Sequence, residues 1–112
     1  MRIALFSEVY WPMVSGVSMT LLRLVNELQA RGHVVRVYSA TYPLPDGVPD
    51  RPEVFRCPSK PFFLAPDVQS TTIRQEAVTA DLADFQPDLV HVLTEWTLGR
   101  RGLRAAREAH QV

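Results

Sequence analysis

The chain has 112 residues, 12 basic and 12 acidic side chains and 46% hydrophobic residues, the makeup of a soluble globular domain with too little positive charge for a nucleic-acid binder. Its single cysteine, Cys57, excludes an internal disulfide or a cysteine-based metal cluster and suits a reducing compartment. The first apolar run stops at Ser7-Glu8, short of the ~7 to 15 apolar residues of a signal peptide core, and no stretch approaches the ~20 of a membrane span, so a cytoplasmic location is expected.

Arg2 to Phe6 reads as a short buried strand that runs into a loop, Ser7 to Ser15, and then directly into an amphipathic helix over about Val17 to Ala30. Val17, Leu21, Leu24, Val25 and Leu28 share one face of that helix, while Arg23, Asn26, Glu27 and Gln29 lie elsewhere. A helix starting there aims its unpaired N–H groups and positive dipole end over Gly16, where a residue without Cβ lets a ligand approach the backbone. A phosphate is the commonest guest of such a site. The loop has neither the G-x-G-x-x-G dinucleotide fingerprint nor the lysine of a P-loop. A tight helix entry capped by Ser15 or Ser18 therefore stands beside the phosphate reading.

Gly32 ends the helix as a left-handed cap, and the β-branched run Val34 to Ser39 forms the second strand. Seven of the nine prolines fall between Thr41 and Pro66, which predicts a loop-dominated stretch with at most a short edge strand near Glu53 to Cys57. A second helix fits about Ser70 to Asp84, with Ile73, Ala77, Ala80 and Leu82 inward. Leu89 to Leu93 is the fourth strand, holding His91 as a buried structural histidine. Thr97 then caps a last helix to about Gln111, with Arg100, Arg104 and Arg107 on one face. That basic face is either solvated or in peripheral contact with anionic lipid. Strand and helix signals alternate throughout, so the fold class is α/β, a Rossmann-like parallel sheet flanked by helices.

Three blocks carry a resemblance. Phe6-Ser7-Glu8-Val9-Tyr10-Trp11-Pro12-Met13-Val14-Ser15-Gly16-Val17-Ser18, Arg31-Gly32-His33-Val34-Val35-Arg36-Val37 and Phe85-Gln86-Pro87-Asp88-Leu89-Val90-His91-Val92 occur in the order found in family 4 glycosyltransferases. These are retaining enzymes of the two-domain GT-B type. The resemblance implies that residues 1–112 are an incomplete N-terminal, acceptor-side domain. The C-terminal domain, whose paired glutamates hold the nucleotide sugar, is absent from the chain, as is the histidine expected near the sugar. The fragment alone is then expected to be inactive, with no catalytic residue assigned within it.

By the same resemblance, backbone amides around Ser15, Gly16 and Val17 contact the donor diphosphate, and Glu8, Tyr10 and Pro12 border the acceptor pocket. Ligands of parallel sheets bind at the carboxyl ends of the strands, which adds Glu95 and Trp96 as acceptor candidates. Solvated acids and packed aromatics are the bland alternatives for these side chains. The partners implied are a nucleotide sugar and a lipid, polyol or saccharide acceptor, with no nucleic acid, no cofactor and no metal. Many relatives have a second histidine two positions after His91; Leu93 stands there, so a role for that position is not carried over.

Four strands are fewer than such a domain has, and an uncovered strand edge favours self-association. A flavodoxin-like phosphate-binding module without catalysis is the competing reading. A phospho-receiver is disfavoured, because no acidic pair follows the first strand and Arg56-Cys57-Pro58 stands where an aspartate is expected.

Overall fold

The computed structural model describes residues 1–62, 65–93 and 97–108, with side chains for all of them except 61, 62, 65–70 and 97. Four strands form a parallel sheet: β1 (Arg2–Phe6), β2 (Val34–Ala40), β3 (Val54–Cys57) and, after a hairpin, β6 (Leu89–Val92). Their order is β3-β2-β1-β6, with Ile3 opposite both Val35 and Leu89. The hairpin pairs β4 (Ser59–Phe62) antiparallel with β5 (Ala65–Thr71). Helices α1 (Gly16–Ala30), α2 (Gln75–Phe85) and α3 (Thr97–Glu108) cover the two faces of the sheet.

Strand alternation divides the core between those faces. Ile3, Leu5, Val35 and Val37 pack against Leu21 and Val25 of α1. Ala4, Phe6, Tyr38 and Cys57 pack against Val78, Leu82 and Phe85 of α2 and Leu98, Ala105 and Ala106 of α3. Burial pushes the Cys57 thiol up to about 12, so it is a neutral packing group. The motif that introduces β6 acts as a clamp on β1. Gln86 turns the chain at φ 53°, and Arg2 Nε donates to the Phe85 carbonyl at 2.7 Å. The Asp88 carboxylate then accepts from the Arg2 backbone N–H at 2.7 Å.

The parallel α/β architecture, α1 and the edge position of β3 match expectation, and Gly32 has the required φ of +86°. Four details differ. The hairpin was not anticipated, and its second strand takes Ser70 and Thr71, so α2 begins only at Gln75. Ile73 therefore precedes the helix, and the inward phase is Val78, Leu82 and Phe85, with Ala77 and Ala80 exposed. His91 is exposed rather than buried, because among the described residues β6 pairs only with β1. Val17 is 47% exposed, since the first turn of α1 projects past the strand ends. The last helix is described to Glu108; its expected final residues, up to Gln111, lie outside the described residues.

Gly102 of α3 sits directly on Phe6, where an added Cβ would lie 2.5 Å from ring carbons. The ring is itself stacked on Tyr38, with centroids 4.4 Å apart. Helix propensity alone favours alanine over glycine by ~1 kcal/mol, whereas overpacking a core costs about 1–3 kcal/mol. We expect Gly102→Ala to lower the denaturant midpoint; a midpoint unchanged or raised would show that α3 can lift off the sheet at little cost.

Candidate functional site

The site is built at the carboxyl ends of β1 and β6, where the Ser7 to Ser15 loop leads into α1. Ser15 and Ser18 form a reciprocal capping box: Ser15 Oγ accepts from the Ser18 N–H at 3.1 Å, and Ser18 Oγ accepts from the Ser15 N–H at 2.9 Å. The hydroxyl of Ser18 also donates to the Met13 carbonyl, which fixes the end of the loop on the helix. The N–H groups of Ser15 and Ser18 are thus occupied, leaving those of Gly16 and Val17 without partners among the described residues. A Cβ added at Gly16 would meet nothing within 4 Å, and the backbone there does not need positive φ. The fold therefore does not require this glycine, and its bare side faces open space.

That space is a cleft of about 430 Å³ lined by Gly16, Val17 and Thr20 of α1 and by His91, Val92 and Leu93 at the end of β6. His91, placed by sequence reasoning in the core, is a wall of this cleft. Its edge-strand position is what makes the difference, and no local pattern in Leu-Val-His-Val distinguishes the two cases.

The acceptor candidates separate by depth. Glu8 is 0% exposed, and its carboxylate is a bridge: Oε1 accepts from the Leu98 N–H in the first turn of α3 at 3.1 Å, and Oε2 from the Thr71 N–H at the end of β5 at 2.9 Å. Tyr10 is also 0% exposed, packed with Leu21 and Val25, and its hydroxyl donates to Glu53 Oε1 at 3.4 Å. Burial, followed by the Glu53 charge, pushes its phenol well above the usual tyrosine value. Both side chains are therefore held in the interior beneath the loop. Pro12 is partly exposed, and Val14 is 83% exposed. Glu95 and Trp96 lie outside the described residues.

Arg56, noted in the sequence only as part of the Arg-Cys-Pro run that argues against a phospho-receiver, holds the loop from below. Its guanidinium grips Asp50 in a two-point pair at 2.8 and 2.9 Å and also donates to the carbonyls of Ala40 and Trp11. One cation thus joins the end of β2, the proline-rich segment and the loop before α1. Among the described residues no three His, Cys, Asp or Glu side chains are grouped to hold a metal, and no helix is long and apolar enough to cross a membrane.

A parallel sheet flanked by helices, with the N-terminus of one helix opening on a cleft at the strand ends, defines a Rossmann-like domain. The chain belongs to Glycosyltransferase Family 4, whose family model matches residues 14–112. It is 36% identical over 109 residues to an alpha-monoglucosyldiacylglycerol synthase of Streptococcus pneumoniae, covering 96% of this chain and 24% of that protein. It is 34% identical over 113 residues to a GDP-mannose-dependent alpha-mannosyltransferase of Mycolicibacterium smegmatis, covering 96% of this chain and 29% of that protein. An alpha-monoglucosyldiacylglycerol synthase of Acholeplasma laidlawii is 31% identical over 112 residues, 96% of this chain and 27% of that protein. The chain thus spans about a quarter of the length of these curated relatives.

Glu8 and the Arg56–Asp50 pair each make a testable claim about stability. Glu8→Ala leaves the Thr71 and Leu98 amides buried without a partner, a loss of about 2–5 kcal/mol in denaturant unfolding; a loss under ~1 kcal/mol would mean that water replaces the carboxylate. The Arg56 guanidinium holds the Asp50 carboxyl below its ordinary value. Its stabilisation is therefore complete above the unfolded value of about 3.9 and is lost as pH falls through the lower folded value. Asp50→Asn should lower stability at neutral pH and flatten the acid limb; parallel limbs in the two proteins would assign the acid loss to other groups.

Proposed function

We propose that this chain is the acceptor-side part of a retaining glycosyltransferase, which transfers a sugar from a nucleotide-diphosphate donor to a lipid, polyol or saccharide. Membership of the family and the names of the relatives support glycosyl transfer as the reaction class. The observation that carries the role of the site is the pair of unpartnered amides at Gly16 and Val17 facing the cleft. In this reading they meet the donor diphosphate and stabilise the negative charge that grows on the leaving nucleotide in the transition state. Retention is proposed from the family resemblance.

The acceptor is proposed to enter along the exposed rim of the loop at Pro12, with Glu8 and Tyr10 supporting that rim from beneath. Turnover is assigned to the full-length protein, in which a second domain brings the donor to this one; proximity between two domains cannot be supplied by one of them. Relatives are named for diacylglycerol glucosylation and for GDP-mannose dependence, so both lipid and nucleotide panels are warranted.

The test is release of nucleotide from UDP-, GDP- and ADP-sugars by the full-length protein, with lipid and polyol acceptors present or omitted. Acceptor-dependent release of one nucleotide is expected. Release from none of them by folded protein would favour a phosphate-binding module without catalysis. Gly16→Val fits open space and should keep its unfolding midpoint, yet lose turnover at least about tenfold, because the valine side chain stands where the diphosphate approaches. Unchanged turnover would remove this loop from the mechanism.

A further inference from the structure

We propose a second anion site, on the opposite face of the sheet from α1, in the crevice where the arginines of α3 meet the first turn of α2. The crevice has a volume of about 320 Å³ and is lined by Gln75, Arg100, Arg101 and Arg104. Its positive charge is largely uncompensated among the described residues. Arg100 is exposed and has no carboxylate partner, and Arg101 is half-buried with its Nε covered and lacking a hydrogen-bond partner. Arg104 reaches Glu108 at 3.3 Å in an i,i+4 surface pair whose side chains are 69% and 48% exposed, an interaction that competes weakly with a bound anion.

The crevice is also braced. Gln75 Nε2 donates to the Arg101 carbonyl at 2.8 Å and to Thr79 Oγ1 at 3.3 Å, tying the start of α2 to α3. The nearby acids, Glu76 and Glu108, line an adjoining groove with Thr79 and Ala83 and are absent from the crevice lining. Converging guanidiniums in a concave site match the oxygens of a phosphate group, which they bind by paired charge-assisted hydrogen bonds. The ligand class is therefore a phosphate group, carried either by a soluble molecule or by a lipid headgroup. This site stands independently of glycosyl transfer and of the Gly16 cleft.

The experiment labels the full-length protein with phenylglyoxal, an arginine-directed reagent, and reads each residue by mass spectrometry as inorganic phosphate is added. A parallel arm uses vesicles of phosphatidylcholine with or without phosphatidylglycerol. Saturable protection of Arg100, Arg101 and Arg104 by phosphate, with Arg31 and Arg107 unprotected, assigns the site to soluble phosphate groups. Protection by the anionic vesicles alone assigns it to headgroups. The variant R100Q/R104Q alters exposed side chains only and should keep its unfolding midpoint while weakening whichever binding is seen at least about tenfold, a factor that the loss of even one charge-assisted hydrogen bond supplies. Equal labelling of the three arginines in every arm, or binding that survives R100Q/R104Q, overturns the proposal.

Discussion

The buried carboxylate of Glu8 is the junction on which the upper half of the domain depends. Three segments distant in sequence end at this point: β1, the second strand of the hairpin and the start of α3. Each brings a backbone group that would otherwise be buried unpaired; the carboxylate accepts from two N–H groups, and the Glu8 carbonyl accepts from the Tyr42 hydroxyl at 2.8 Å. Desolvating a carboxylate costs several kcal/mol. Charge-assisted hydrogen bonds and the positive end of α3 offset that cost only while all three segments are in place. Glu8 therefore specifies an arrangement, and the arrangement puts the loop before α1 over the strand ends.

A second junction, this one centred on cations, does the same one layer outward. Arg56 gathers Asp50, Ala40 and Trp11, and Arg51 gathers Glu53 and Asn26. Between them the proline-rich segment, which has little regular structure before β3, is fixed to the sheet by side chains in place of a backbone ladder. Tyr10 and Glu53 complete this support from within the core, so the aromatic residue with the most obvious ring for stacking is part of the foundation.

The parallel sheet and α1 were legible because their signals are local: a β-branched run, a five-residue apolar stripe, a glycine where the chain turns left-handed after α1. The hairpin was not, because prolines at 58, 61 and 66 argue against strands and antiparallel pairing of β4 with β5 leaves no local mark. Missing it displaced the start of α2 and shifted its inward phase by one position, from Ala77 to Val78. At the site, the glycine loop was legible and the depth of its neighbours was not. Glu8 follows an apolar strand and precedes a glycine loop, the pattern of an exposed ligand contact. Its partners lie 63 and 90 residues away. His91 was misjudged for the complementary reason, since burial of a strand residue depends on which strands flank it.

The capping box of α1 is built from two serines, with Ser18 in the third helical position, which commonly holds glutamate or glutamine. The first turn of the helix has no acidic side chain, whereas that of α2 has Glu76. A glutamate at position 18 would serve the cap equally well, but it would place a full negative charge beside the Gly16 and Val17 amides, which have no partner among the described residues. The hydroxyl pair closes the helix at no electrostatic cost to the space in front of it. The electrostatics of this helix end are thus set in part by a residue outside the open amides, through a charge the chain omits.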